Sequence, residues 1–265
     1  MITILAIYAA IGCAVGILAG LLGLGGGIVI VPVLLYSLPL FGVTDHVHHL
    51  AVGTSMASII FTSLSSALAH FRRGSVHWDV VIKFTPGIIV GTLLGGTIAV
   101  MLPTRVLVGI FAVFLVYVGT QMLLNKKPEP SRHLPGTAPL VGVGGAIGMF
   151  SSFVGIGGGT LTIPFLTMCN VPMREAIGTS SGVGMSIAVF GSLSYIMNGW
   201  GVPDLPPWSF GFIYLPALLG LVIGSMTTAP LGAKLAYKVS VPTLKRFFAV
   251  FIFVVAANLV WKTFF

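Results

Sequence analysis

Long apolar segments, separated by short polar or glycine-rich breaks, make up almost the whole chain. Ten segments can be delimited, at about 3–22, 28–40, 48–70, 79–101, 106–124, 138–153, 160–170, 176–197, 209–230 and 241–264. They are apolar on every face, whereas the strands of a membrane β-barrel alternate apolar and polar residues, so the pattern predicts membrane helices. A helix needs about 20 apolar residues to cross about 30 Å of hydrocarbon. The segments 28–40 and 160–170 are too short to cross, and we expect each to be one limb of a broken or re-entrant hairpin.

The chain contains two copies of the same plan. Residues 23–32 (GLGGGIVIVP) match residues 155–164 (GIGGGTLTIP), and residues 51–55 (AVGTS) match residues 176–180 (AIGTS). Each copy holds one broken hairpin followed by three full spans. A polar, proline-rich stretch lies between the copies. The sequence therefore predicts an N-terminal membrane repeat at 1–124, a linker at 125–136 and a C-terminal membrane repeat at 137–265.

Composition and charge add the orientation. The chain is 56% hydrophobic and 7% charged, whereas soluble domains carry about 25% charged residues. Three crossings per copy turn the second copy upside down, and 11 of the 13 basic residues then share one side: Arg72, Arg73, Lys83, Lys126, Lys127, Arg132, Arg174, Lys234, Lys238, Lys245 and Arg246. The positive-inside rule makes that side cytoplasmic. We therefore expect an all-α polytopic membrane protein of two inverted repeats with a cytoplasmic linker. Since topology accounts for the net charge of +8, no nucleic-acid partner is expected.

The two glycine breaks are the leading candidates for a binding site. Irregular backbone at membrane depth persists only where it is buried in protein or lines a wet cavity. The first N–H groups of a helix have no partner within the helix, and its dipole adds about half a positive charge there. Each break precedes a predicted helix start, which predicts an anion site at the midplane formed by Gly25, Gly26, Gly27, Gly157, Gly158 and Gly159. The competing interpretation is close helix packing through small residues.

Hydroxyl groups follow each break in the same motif. Thr54 and Ser55 in the first copy correspond to Thr179 and Ser180 in the second. Hydroxyls can donate hydrogen bonds to an anion without adding charge, so we expect these four to contact the substrate. Alternatively, they bond back to their own helices. All five carboxylates fall at predicted loops or span ends, which disfavours a carboxylate relay or a cation site.

A histidine cluster raises a different function. His46, His48 and His49 follow Asp45 and resemble a set of metal ligands. The cluster lies at a predicted turn between hairpin and span, and no second cluster accompanies it, so we expect an interfacial loop and no metal site. The chain shows no nucleophile–base arrangement and no nucleotide-binding loop. We expect no enzyme and no cofactor, with an intramembrane metalloenzyme as the remaining alternative.

The doublet of GxGGG-apolar-Pro and GTS motifs resembles the sulfite exporter TauE/SafE family, and the resemblance spans nearly the whole chain. It implies a bacterial or archaeal inner-membrane permease that moves, by alternating access, a small sulfur-containing anion such as sulfite or the organosulfonate sulfoacetate, with export as the expected direction. A channel or passive uniporter for the same anions is the alternative. The expected partners are the anion and the lipid bilayer, and a second copy of the chain in a homodimer is a further possible partner.

Overall fold

The computed structural model describes residues 2–22, 26–71, 74–124, 133–236 and 241–264, and within them the chain is almost entirely helical. The helices are α1 (Ile2–Leu22), α2 (Gly27–Leu40), α3 (Val47–Phe71), α4 (Trp78–Met101), α5 (Thr104–Leu124), α6 (Thr137–Val154), α7 (Gly159–Met168), α8 (Met173–Gly199), α9 (Leu215–Ala236) and α10 (Val241–Phe264). In this part of the chain six helices are long and apolar enough to cross a membrane, namely α3, α4, α5, α6, α8 and α10. The predicted all-α polytopic fold is confirmed.

The short limbs of the two hairpins have the predicted lengths. α2 contains 14 residues and α7 contains 10, so at about 1.5 Å per residue they rise about 21 Å and 15 Å. Both are therefore shorter than the hydrocarbon layer. The first limbs are longer: α1 has 21 residues, and α6, with 18, ranks among the six candidate spans.

Close backbone contacts between small residues hold the helices together in pairs. A methyl group built at Gly12 of α1 would lie 2.8 Å from the carbonyl oxygen of Leu221 in α9. In the equivalent pair, Gly91 of α4 lies directly against the backbone of Gly145 in α6. Such approaches are characteristic of membrane helices, where close van der Waals contact replaces the hydrophobic effect as the attraction between helices.

The direction of the repeat-related helices is that of an inverted pair. α3 and α8 occupy equivalent places in the two copies, and they run antiparallel, because Gly53 packs against Tyr195 while Met56 packs against Gly191. The equivalent helices α5 and α10 are also antiparallel, since Gly109 faces Phe264 and Gly119 faces Phe253. A two-fold axis that relates antiparallel helices runs perpendicular to them, as expected for inverted repeats. The residue at which the first repeat ends and the linker begins stays a prediction, because residues 125–132 lie outside the described part.

One predicted element is wrong at its start. The apolar pattern predicts a single helix over 209–230. In the structure, Ser209–Phe210 pairs with Ile213–Tyr214 as a short antiparallel hairpin, and α9 begins only at Leu215. Gly211 lies at the turn and packs against the backbone of Ile196, while Pro216 occupies the first turn of α9, where a proline is tolerated. Apolar composition alone could not distinguish this hairpin from the helix that follows it.

Candidate functional site

The two glycine breaks meet inside the bundle. A methyl group built at Gly27 would lie 2.8 Å from the carbonyl oxygen of Gly155 and 3.1 Å from Cα of Ile156. Both breaks lie against α3 between Val52 and Ile59. This stretch is five to 12 residues from the start of α3, about 8–18 Å along its axis. The breaks therefore lie against the interior of α3, which is one of the six candidate membrane spans, and away from its first turn.

Each short helix begins at a glycine in the left-handed conformation. The residue before α2 is Gly26, with φ of 80°, and the residue before α7 is Gly158, with φ of 71°. Residues with a Cβ rarely adopt this conformation, so glycine is required at both positions. The carbonyl oxygens of Gly26 and Gly158 accept the first hydrogen bonds of their helices. The N–H groups at the first two positions of each helix, Gly27 and Ile28 in α2 and Gly159 and Thr160 in α7, have no acceptor within the helix and point back towards the breaks.

A buried hydroxyl without a partner lies beside the second break. The side chain of Thr162, in the first turn of α7, is fully buried, and its Oγ1 has no hydrogen-bond partner in the described structure. This oxygen would be 3.6 Å from a methyl group built at Gly158. Ser151, in the last turn of α6, is also fully buried with an unpartnered hydroxyl. A buried polar group without a partner is unfavourable, so these positions indicate where a polar ligand would be accommodated.

The motifs that the two copies share do not indicate Thr162 or Ser151. The first copy has Ile30 at the position equivalent to Thr162, so a comparison based on shared motifs passes over it. The sequence signal for Thr162 is a difference between the copies, because residues 28–30 (IVI) after the first glycine run correspond to residues 160–162 (TLT) after the second.

The predicted serines and threonines have different positions. Ser55 lies at the breaks, where its Oγ donates a hydrogen bond of 2.8 Å to the carbonyl oxygen of Gly155. The hydroxyl of Ser180 bonds back to its own helix at Ile177, and this oxygen would be 4.0 Å from a methyl group built at Gly159. Both serines are therefore adjacent to the breaks.

The threonines hold loops instead. Oγ1 of Thr54 accepts a 3.0 Å hydrogen bond from the backbone N–H of Tyr214, just before α9. Oγ1 of Thr179 accepts a 3.0 Å bond from the backbone N–H of His77, just before α4. These contacts are repeat-equivalent, since α4 and α9 correspond. In this structure each threonine oxygen therefore accepts a hydrogen bond from a buried or half-buried backbone donor, and its contact with the substrate stays a prediction.

One of the predicted glycines, Gly25, lies outside the described residues. Gly157 is half-buried beside Gly184 and Ile59. Ile59 contacts both breaks, since its Cδ1 would be 2.9 Å from a methyl group at Gly27 and its Cγ2 2.8 Å from one at Gly157. This side chain separates the two halves of the candidate site.

The carboxylates that the structure describes lie at the surface or near helix ends. Asp45, Asp79 and Asp204 are exposed, and Glu175 pairs with His77 at 2.5 Å. Within the described ranges, no three His, Cys, Asp or Glu side chains converge to a metal site.

Comparison with known proteins identifies the family. The sulfite exporter TauE/SafE family model matches residues 8–259. A Haemophilus influenzae protein named "Probable membrane transporter protein" is 40% identical over 265 residues, which is 99% of this chain and 100% of the relative. A Methanocaldococcus jannaschii protein described in the same words is 29% identical over 87% of this chain and 85% of its own length. Bacillus subtilis YunE, another of that description, is 25% identical over 97% of each chain. This chain is therefore a membrane transporter and belongs to the sulfite exporter TauE/SafE family.

Proposed function

We propose that this transporter exports a small sulfur-containing anion, such as sulfite or the organosulfonate sulfoacetate, across the inner membrane by alternating access. The observation that carries the proposal is the meeting of two glycine breaks from opposite halves, with the unpartnered hydroxyl of Thr162 beside them. The anion class comes from the physics of helix N-termini, and the sulfur chemistry comes from the family.

The proposed site binds the anion without a formal countercharge. N–H groups at the start of α7 would face the anion, supported by the dipoles of α2 and α7. Thr162 would donate its hydroxyl, and Ser55 and Ser180 would line the two sides of the breaks. The described carboxylates lie at the helix ends, where they do not oppose a negative ligand. Neutral donors hold an anion less tightly than a buried arginine would, which suits a carrier that must also release it.

Alternating access would follow from the inverted arrangement. Rocking of one copy against the other would open the breaks first to one side and then to the other. Ile59 lies between the breaks, and Ile187 packs against Gly158, so these side chains would have to separate for the anion to enter. An inside-negative membrane potential drives an anion outward, which agrees with export. We place the linker and the basic loops on the cytoplasmic side because of the charge distribution.

The experiment compares two threonines on the same short helix. Thr162→Val removes the unpartnered hydroxyl, whereas Thr167→Val removes one that already bonds to its own helix at Ile163, 3.0 Å away. Labelled sulfite or sulfoacetate is exchanged across proteoliposomes. A hydrogen bond to a charged group contributes about 1.5–3 kcal/mol, so Thr162→Val should raise the KM for exchange at least tenfold, without loss of thermal stability.

The outcomes separate the alternatives. Equal KM values for the two variants would contradict the site. Net flux without acceleration by unlabelled anion on the far side would indicate a channel or uniporter instead of a carrier. Absence of flux for both anions would contradict the proposed substrate class.

A further inference from the structure

Two buried histidines at the start of α3 have ring nitrogens without partners. His48 is 1% exposed and His49 is 5% exposed. In the described structure both ring nitrogens of His48, and Nδ1 of His49, lack a hydrogen bond. Nε2 of His49 lies 3.2 Å from the carbonyl oxygen of Ala99. Since a carbonyl only accepts, Nε2 carries the hydrogen, and Nδ1 is left as a free base.

The pair lies where the two copies meet. The His48 ring packs edge-on against Phe111 of α5, with ring centroids 6.5 Å apart, and is adjacent to the backbone of Phe153 in α6 without a well-formed hydrogen bond. The His49 ring packs against Phe212 of the hairpin at 5.2 Å. First-copy helices α3, α4 and α5 therefore meet second-copy elements around these two rings.

No carboxylate faces the pair among the described contacts. The titratable groups are the two histidines themselves, 6.3 Å apart, and His46 on the preceding turn, 6.1 Å from His49. The other elements contribute aromatic rings and backbone carbonyls, as described above. A proton on this pair would therefore be uncompensated by a fixed negative charge, and a bound anion would be its natural counterion.

Packing of the repeat does not require these residues. The equivalent positions in the second copy, 125 residues later, are Met173 and Arg174, and both are exposed. A phenylalanine in place of His48 would pack among the same aromatic rings. It would also avoid burying a ring nitrogen without a hydrogen-bond partner, which is unfavourable. The histidines are thus the less stable choice for the fold and need another explanation.

We propose that His48 and His49 form a proton-binding site that loads together with the transported anion. This inference rests on the proposed function and adds the coupling ion. Six residues separate His49 from Ser55, or about 9 Å along α3. At that distance, with an effective dielectric constant of about 20, a positive charge on the pair strengthens anion binding by on the order of tenfold. A free ring nitrogen takes a proton from water on one side and returns it on the other. A dianion that travels with one proton still carries one net negative charge, so the membrane potential still drives it outward.

The experiment separates exchange from proton-driven accumulation in proteoliposomes. The probe is labelled sulfoacetate, because both of its acid groups are ionised at neutral pH. Counterflow at saturating sulfoacetate reports folding and anion transport without net proton movement. Accumulation is then measured with the outside one pH unit more acidic and the membrane potential clamped at zero. The wild-type protein should accumulate the probe up to about tenfold for one proton per anion.

The variants are His48→Phe, His49→Gln and the two combined, with exposed His133→Gln as the matched control. His49→Gln retains a donor for the Ala99 carbonyl. The combined variant should keep counterflow and lose accumulation, while His133→Gln keeps both. Accumulation equal to wild type in the combined variant, or none in the wild type despite counterflow, overturns the inference and leaves the proposed function standing. Loss of counterflow in every His48 and His49 variant assigns the pair to packing and also overturns it. Absence of wild-type counterflow for both sulfoacetate and sulfite overturns the proposed function and this inference together.

Discussion

The contact between Ser55 and the second break gives the sharpest stability prediction. Ser55→Ala removes the 2.8 Å hydrogen bond to the carbonyl oxygen of Gly155, and within the described structure no other donor reaches that carbonyl. Both groups are buried, so the variant leaves an unsatisfied acceptor in the bundle at a cost of about 1–3 kcal/mol. For a chain of this size, that cost corresponds to a drop of about 2–10 °C in melting temperature.

Ser63→Ala on the same helix is the matched control. The Ser63 hydroxyl bonds to the carbonyl oxygen of Ile59 at 2.6 Å, four residues earlier in α3, where the helix already supplies a donor. Its removal should change stability by less than about 0.5 kcal/mol. Thermal unfolding of both variants in one detergent, followed by tryptophan fluorescence, measures the difference. Melting temperatures that agree within error would refute the argument that Ser55 ties α3 to the break.

Three further contacts give predictions of different kinds. Thr54→Val leaves a buried N–H of the hairpin without an acceptor, so it should lower the free energy of unfolding by about 1–3 kcal/mol, and a changed KM at unchanged melting temperature would contradict this. Gly91→Ala forces α4 away from α6 and should lower the free energy of unfolding by about 1–3 kcal/mol or more. The control Gly142→Ala, which has open space around it, should leave that free energy unchanged or raise it, as measured by calorimetry. Glu175→Gln breaks the half-exposed pair with His77 and should lower the free energy of unfolding by at most about 1 kcal/mol in the same calorimetric measurement.

Most of the fold could be predicted because its determinants are local. Segments that must bury in lipid are recognisable from length and composition, so the bounds of α2, expected at 28–40, and of α4, expected at 79–101, differ by one residue from the structure. Glycine marked both helix starts because only glycine tolerates the backbone conformation of Gly26 and Gly158. The hairpin before α9 could not be predicted locally, because its backbone N–H at Tyr214 bonds to Thr54, 160 residues earlier in the chain.

The candidate site was harder to predict because side-chain direction depends on packing between the copies. Adjacent residues of one motif face different ways: Ser55 contacts the break, and Thr54 contacts the hairpin. A motif string gives their spacing and not their orientation. Thr162 was overlooked for the complementary reason, since its hydroxyl has no counterpart in the first copy.

These positions suggest how to separate structural from functional residues in a duplicated transporter. The features that both copies share include the contacts of Thr54 and Thr179 with the loops before α9 and α4, and also the glycine breaks that form the proposed site. An anion bound where the breaks meet would in addition face side chains that have no counterpart in the other copy, such as Thr162. Ile59, which separates the breaks, corresponds to Gly184, and the buried His49 corresponds to an exposed arginine. Residues that differ between the copies should therefore be tested beside the shared breaks, because they can give the two sides of one site different properties.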